Sequence, residues 1–293
     1  DREELPQVDA LYQSALAVMG LPIGWPLTVF LTNDRKPIWG GAYFPKKTKF
    51  GSPGLDTVLI RILDIYSKRK KDVLADAKQV IDELERESEN SPGTISLKHI
   101  DKFAANLLTE IDPSDGGFGG APKFPNVIAL ETLWRTYIRT GRKIYGQAVA
   151  KAVQQMVLGG LYDHIGGGFF RYTVDQQWRT PHFEKMLGTN ARLLRLMTEV
   201  WREFRNPILR DRILQTVQFL LREMLKPGSG FVSSIDADSE ADGGKEEEGA
   251  YYVWSQNQLR EILGDHYKVF AAAFKLAPKE GAALDTYLDA GVL

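Results

Sequence analysis

His164 and His182 lie in one stretch, Gly159 to Ala191 (GGLYDHIGGGFFRYTVDQQWRTPHFEKMLGTNA), that also holds Asp163, Arg171, Asp175, Arg179 and Glu184. Imidazole titrates near neutrality and can take or give a proton, so the two rings could act as general base and general acid over one cavity. Glu184 could orient His182 or serve as a carboxylic acid itself. Arg171 and Arg179 could grip a hydroxyl-rich or anionic substrate through forked hydrogen bonds. Each residue also has a plainer use. The imidazoles could satisfy backbone groups of a long buried loop, Glu184 could pair with Lys185 or an arginine, and the arginines could neutralise Asp163 and Asp175. His99 and His266 fall on helical patterns and read as surface residues.

A second acidic run, Asp236, Asp238 and Glu240, could bind a sugar hydroxyl or a divalent ion. Its spacing is that of half a calcium loop, but the following ADGGKEEEGA lacks the remaining ligand order, so a solvated turn is the plainer reading and no metal is expected. Phe118, Phe124, Tyr162, Phe169, Phe170, Tyr172, Trp178, Phe183 and Trp254 crowd the same loops. Sugar rings stack on such faces, and glycine beside aromatic is equally how a long loop packs on itself. The candidate catalytic residues are therefore His164, His182 and Glu184. The candidate substrate-binding residues are Asp163, Arg171, Trp178, Arg179, Asp236 and Asp238. The glycine runs at 116–120 and 166–168 do not sit between a strand and a helix with the spacing of a phosphate cradle.

Helices must hold these loops. Apolar stripes at helical spacing run through Leu97 to Ile111, Val127 to Ile138, Ile144 to Val157 and Leu193 to Phe204. Asn206-Pro207 starts a further helix running to Leu225, and Ser255 with Gln258 forms a capping box for another. The connections alternate between long (112–126, 159–189, 226–254) and short (141–143, 205–207). In antiparallel helices joined in succession, every second connection falls at the same end, so the three long loops are expected on one face. Each carries a Gly-Phe mark, at Gly117-Phe118, Gly168-Phe169 and Gly230-Phe231, as a repeated α-hairpin would.

Ahead of the hairpins lies a different pattern. A helix over 5–19 stops at Gly20, and Leu27 to Leu31, turn chemistry at Asn33-Asp34 and Pro37-Ile38-Trp39 make a β-hairpin. Ser52 as N-cap with Pro53 starts a helix through Ile62, and a basic-then-acidic helix follows to about Ser88. Two strands and a few helices do not close a core, so this α/β unit is expected to be incomplete, with strands preceding Asp1. Glu83 to Thr94, with Ser91-Pro92-Gly93, reads as a linker.

The 293 residues carry a net charge of -1 with acids and bases interspersed, which gives no field to draw nucleic acid or an anionic membrane. No cysteine occurs, so the chain has no disulfide, thiolate metal site or thiol nucleophile, and a reducing, cytoplasmic setting suits it. No apolar run approaches the ~20 residues of a membrane helix.

GWPLTVFLTNDRKPIWGGAYFP (24–45), DGGFGGAPKFP (115–125), GGLYDHIGGGFFRYTVDQQW (159–178), PHFEKML (181–187), DADSE (236–240) and YYVW (251–254) together resemble the thioredoxin-domain protein family that includes spermatogenesis-associated protein 20. The resemblance implies a thioredoxin-like domain followed by an (α/α)6 toroid similar to sugar epimerases of the N-acylglucosamine type and to six-hairpin glycosidases. It implies that Pro26 is the cis-proline of the thioredoxin-like domain and that a C-x-x-C pair lies upstream of Asp1. Where the family ordinarily continues PHFEKML with an aromatic and an aspartate, this chain has Gly188-Thr189, and its tail beyond about Ala277 departs from the pattern.

The expected fold is thus mainly α: an incomplete thioredoxin-like α/β domain over residues 1–90, then part of an (α/α)6 toroid over 91–293. The expected function is carbohydrate-related, a sugar epimerase or isomerase using histidine acid/base catalysis on a carbohydrate or other small-molecule substrate. The alternative is a thioredoxin-like redox or interaction protein whose toroid is a scaffold for a protein client. No cofactor, nucleic acid or membrane partner is expected.

Overall fold

In the computed structural model of the chain, residues 4–49, 51–88, 93–241 and 243–273 are described. The chain is mainly helical, with an α/β segment ahead of successive helical hairpins, which is the class expected. It divides into two compact units, Asp1–Ile95 and Ser96–Leu293. Of the expected linker over 83–94, residues 83–88 instead continue the helix that ends at Ser88, and 89–92 lie outside the described residues, as does the tail from residue 274.

The first unit opens with helix α1 (Pro6–Val18), which buries Ala15 and Leu16. Strands β1 (Thr28–Leu31) and β2 (Pro37–Gly41) form the antiparallel hairpin, with Thr28 opposite Gly41 and Phe30 opposite Trp39. Gly40 faces Leu16, and a Cβ there would come within 2.5 Å of the Thr28 carbonyl oxygen. Helix α2 (Leu55–Lys68) begins later than Ser52-Pro53 suggested. Ser52 instead exchanges backbone hydrogen bonds with Lys49, and the Leu55 N–H donates to the Pro45 carbonyl, so the chain finishes a loop before it coils. Helix α3 (Lys70–Ser88) follows.

The second unit contains α4 (Leu97–Thr109), α5 (Val127–Thr140), α6 (Lys143–Leu158), α7 (Leu187–Phe204) and α8 (Pro207–Phe219), then α9 (Gln256–Leu263) and α10 (Tyr267–Ala273). Short turns use left-handed backbone at Gly141 and Arg205, and Asn206 Oδ1 accepts from the Ile208 N–H at 2.9 Å to start α8. The helix expected to reach Leu225 widens into a π turn over Leu220–Met224. One continuous core, with Leu130, Trp134, Val149, Met156, Leu196 and Met197 among its members, joins α4 to α8.

The long connections carry short strands: β3 (Tyr172–Thr173), β4 (Pro181–His182), β5 (Lys185–Met186), β6 (Leu225–Lys226), β7 (Gly230–Phe231), β8 (Ser234–Ile235), β9 (Asp238–Glu240) and β10 (Glu246–Glu248). Lys123 of the first loop bridges Thr173 of the second, and Lys185 of the second pairs with Ile235 of the third. The three loops therefore meet, as the alternation of lengths required.

The first two loops are one motif built twice. Asp112 and Asp163 each accept a backbone N–H from two and three residues ahead through Oδ1. Each also closes a ring in which its own N–H donates to the carbonyl of a left-handed glycine, Gly117 or Gly168. Oδ2 of each meets a buried ammonium: Lys123 Nζ lies 2.7 Å from Asp112 and Lys185 Nζ 2.6 Å from Asp163, with the lysines 0% and 1% exposed. The ammonium groups also lie over aromatic rings, Trp178 for Lys123 and Phe170 and Phe219 for Lys185. Gly168 packs so close that a Cβ would approach the Phe219 ring to 2.4 Å.

An ammonium without its carboxylate is costly in such surroundings. Burial raises the Asp112 carboxyl, but hydrogen bonds from Gln176, Lys123 and the Asp115 and Ser114 N–H groups outweigh it and hold the group well below the carboxylate range. A carboxyl depressed in the folded state contributes stability that is complete above its unfolded pKa of about 3.9 and is lost as pH falls through the folded value. Asp112→Ala should therefore lower the unfolding free energy at neutral pH by about 3–5 kcal/mol, the usual cost of breaking a buried pair. In urea titrations, the variant should lose less further stability than the parent on acidification below about pH 3.9.

Candidate functional site

Where the loops meet, their side chains form a ladder. Phe124 of the first loop lies 4.6 Å, centroid to centroid, from Tyr172 of the second, and Tyr172 stacks on His182 at 4.7 Å with the planes 14° apart. His182 Nδ1 is 2.6 Å from Glu248 Oε1, which arrives on β10 of the third loop. The backbone dictates this order, since Lys123 bridges Thr173 and Tyr172 pairs with His182.

Strand alternation decides which residues of PHFEKM face the rim. Successive side chains point to opposite sides. His182, Glu184 and Met186 are half-buried, whereas Phe183 and Lys185 are buried. Glu184 accordingly pairs with Arg171, Nη1 to Oε2 at 2.8 Å, and not with its neighbour Lys185, which points inward to Asp163. His182 Nε2 lies 3.7 Å from Glu184 Oε2, beyond hydrogen-bond length. A carboxylate only accepts, so the ring nitrogen against Glu248 carries the proton and Nε2 is the basic one. Burial, then the charge of Glu248, raises the Tyr172 phenol and keeps it neutral beside the imidazole.

His164 is arranged in the opposite sense. Its Nε2 is 2.9 Å from the Gly159 carbonyl, which only accepts, and its Nδ1 is 2.7 Å from Arg212 Nη2, which only donates. Both nitrogens are engaged, and the ring packs edge-on against Tyr162. Burial pushes this imidazole below its ordinary value, with the Arg212 charge acting the same way against the Gly159 hydrogen bond.

Residues 1–85 match the model of a family described as a protein of unknown function, DUF255 (Thioredox_DsbH). The chain is 35% identical over 276 residues to spermatogenesis-associated protein 20 of Mus musculus, covering 90% of this chain, and 34% identical over 273 residues to that of Homo sapiens. It is a relative of spermatogenesis-associated protein 20. The chain spans 35% of the length of each of these two relatives. Among solved structures, a sugar epimerase from a ruminal bacterium is similar at a TM-score of 0.40 and 14% identity, over 56% of this chain and 44% of that one.

This relative of spermatogenesis-associated protein 20 has a cis peptide at Trp25-Pro26, as the family resemblance implied. Gly188 stands in the first turn of α7, where a methyl group on its Cα would meet nothing within 4 Å, so the position at which the family pattern has an aromatic is open here.

The remaining candidates are placed as follows. Asp163 is buried with its carboxylate taken up by Lys185 and two backbone N–H groups, so it is closed to a substrate. Trp178 is wholly buried in a left-handed conformation, with Nε1 donating to the Asp115 carbonyl at 3.0 Å, and its ring lines the Lys123 pocket instead of a binding surface. Arg179 is exposed, and its backbone N–H is held by Asp175 Oδ1. Asp236 and Asp238 are exposed in the turn that opens β9, where Asp236 Oδ1 accepts the Asp238 N–H. No cluster of metal-ligating side chains occurs among the described residues. None of their helices is long and apolar enough to cross a membrane. An open groove of about 440 Å³ is lined by α6, α7 and α8 residues such as Gln155, Val200 and Leu209, none of them from the rim.

Sequence reasoning did not single out Glu248, Lys123, Asp112 or Arg212. A signal for Asp112 existed: Asp-x-x-x-Gly-Gly-Phe occurs at both 112–118 and 163–169. For Glu248 none existed, because it is one of three successive glutamates.

A lowered imidazole contributes stability that is complete above its unfolded pKa of about 6.5 and is lost as pH falls through the folded value. His164→Gln should therefore make thermal stability less pH-dependent below about pH 6.5 than it is in the parent protein. An unchanged pH profile of melting temperature would show that His164 does not carry this linkage.

Proposed function

We propose that the loop rim of the helical unit binds a hydroxyl-rich small molecule and moves a proton through His182. The observation that carries this is the state of its imidazole: partly exposed, plane set by Tyr172, one nitrogen bonded to Glu248 and the other facing Glu184 without a hydrogen bond. The exposed aromatic ring of Phe124 at the end of the ladder and the forked donors on Arg171 suit a carbohydrate. On this reading the hairpins form part of an (α/α)6 toroid and the reaction is sugar epimerisation or isomerisation. Nε2 of His182 removes the proton from the carbon beside a carbonyl, leaving an enediolate. A proton delivered to the opposite face epimerises that carbon, and a proton delivered to the former carbonyl carbon, while the hydroxyl proton of the adjacent carbon passes to the former carbonyl oxygen, isomerises the sugar. His164, closed within its loop, takes no part, so Glu184 is the second proton-transfer group.

The N-terminal match supports a second reading, a thioredoxin-like redox or client-binding protein with the rim as scaffold. This chain contributes no cysteine to such chemistry.

The two readings separate in deuterium oxide. With the natural full-length protein and a panel of aldoses and ketoses, NMR should show exchange at the carbon next to the carbonyl for at least one sugar. His182→Gln should slow it by about 10²–10⁴-fold, the usual worth of a general base. Failure of every sugar to exchange, with no thermal stabilisation by any of them, would leave the scaffold reading.

A further inference from the structure

We infer that Glu248 is a positioning residue for His182, setting which ring nitrogen is basic and where it points. The inference rests on the proposed role of His182 in proton transfer and adds a residue from a different loop to it. Three observations converge on it. The Nδ1 to Oε1 separation of 2.6 Å is short, in the direction expected for a hydrogen bond to an ionised carboxylate. The stacking of the imidazole on Tyr172 fixes the ring plane and leaves only the half-turn flip about Cβ–Cγ that exchanges the ring edges, and the Glu248 bond selects one of the two orientations. The groups facing the ring are then Glu248 at Nδ1, Glu184 near Nε2 and the Tyr172 phenol ring on its face, with Arg171 reaching it only through Glu184.

The third observation is how the carboxylate is delivered. Glu248 ends β10, and the next residue, Gly249, has φ +75°. A Cβ at Gly249 would sit 2.5 Å from the Phe183 ring, the side chain adjacent to His182 in the chain. The Gly249 N–H donates to the Ala237 carbonyl at 2.9 Å, and Tyr252 stacks on Phe183 at 5.5 Å with the planes 11° apart. The third loop is thus laid directly on the strand that carries His182, while the β9–β10 hairpin beyond it is largely exposed. An ordinary surface ion pair has no such backbone seat.

This arrangement sets the two loop histidines in opposite tautomers: Nδ1–H for His182, bonded to a carboxylate, and Nε2–H for His164, bonded to a carbonyl. The second ring is a built-in reference for the first.

The test is long-range ¹H–¹⁵N NMR of ring-labelled histidine in the natural full-length protein, well above the ordinary imidazole pKa of about 6.5. The parent should show His182 as the Nδ1–H form and His164 as the Nε2–H form. Glu248→Ala should move His182 toward Nε2–H and leave His164 and the melting temperature unchanged, and Glu248→Asp should restore part of the parent pattern. A His182 signal that stays the same in Glu248→Ala, or that is Nε2–H in the parent, overturns the inference. If the tautomer moves as expected but no sugar exchanges deuterium in the parent, the positioning stands and the carbohydrate reading fails.

Discussion

A lysine ammonium cannot be left in a protein interior without a carboxylate to meet it, and two such ammoniums sit in the helical unit, at Lys123 and Lys185. Each is met by an aspartate whose other oxygen closes a glycine-bearing loop. One ion pair therefore ties three things together: the start of a loop, its end just before the next helix, and the aromatic rings that face the lysine ammonium. Because the lysine backbones also bridge to the following loop, fixing one loop fixes the edge on which the next is laid.

The rim chemistry depends on that placement. Lys185 points inward because Asp163 is there, and the period of two along an extended chain then turns Glu184 and His182 outward. The same register puts Tyr172 opposite His182 and supplies the stacked face. The third loop is seated differently, by Gly249 and Tyr252 on Phe183, which brings Glu248 to the imidazole.

Much of the fold was legible in the sequence. Apolar spacing located the helices, Asn206 and Ser255 marked helix starts, and the alternation of connection lengths put the long loops on one face. The helix start at Ser52 was misplaced because local cap chemistry was outcompeted by the Lys49–Ser52 bridge. At the site, His164 and His182 looked alike in sequence, both in a glycine-rich aromatic stretch. Their difference comes from Arg212 and Glu248, which are far along the chain and carry no local signal. Trp178 and Asp163 looked like binding residues because side-chain type does not reveal the direction in which a loop residue points.

What the sequence by itself determined is the helical periodicity, the repeat of the Asp-x-x-x-Gly-Gly-Phe loop and the kinship with spermatogenesis-associated protein 20, since each is written in types and spacings along the chain. Only the tertiary structure decided which imidazole is closed and which is open, and which carboxylate each lysine meets. A proton's place on a ring depends on whether the nearest group donates or accepts, and that neighbour is chosen by packing across loops.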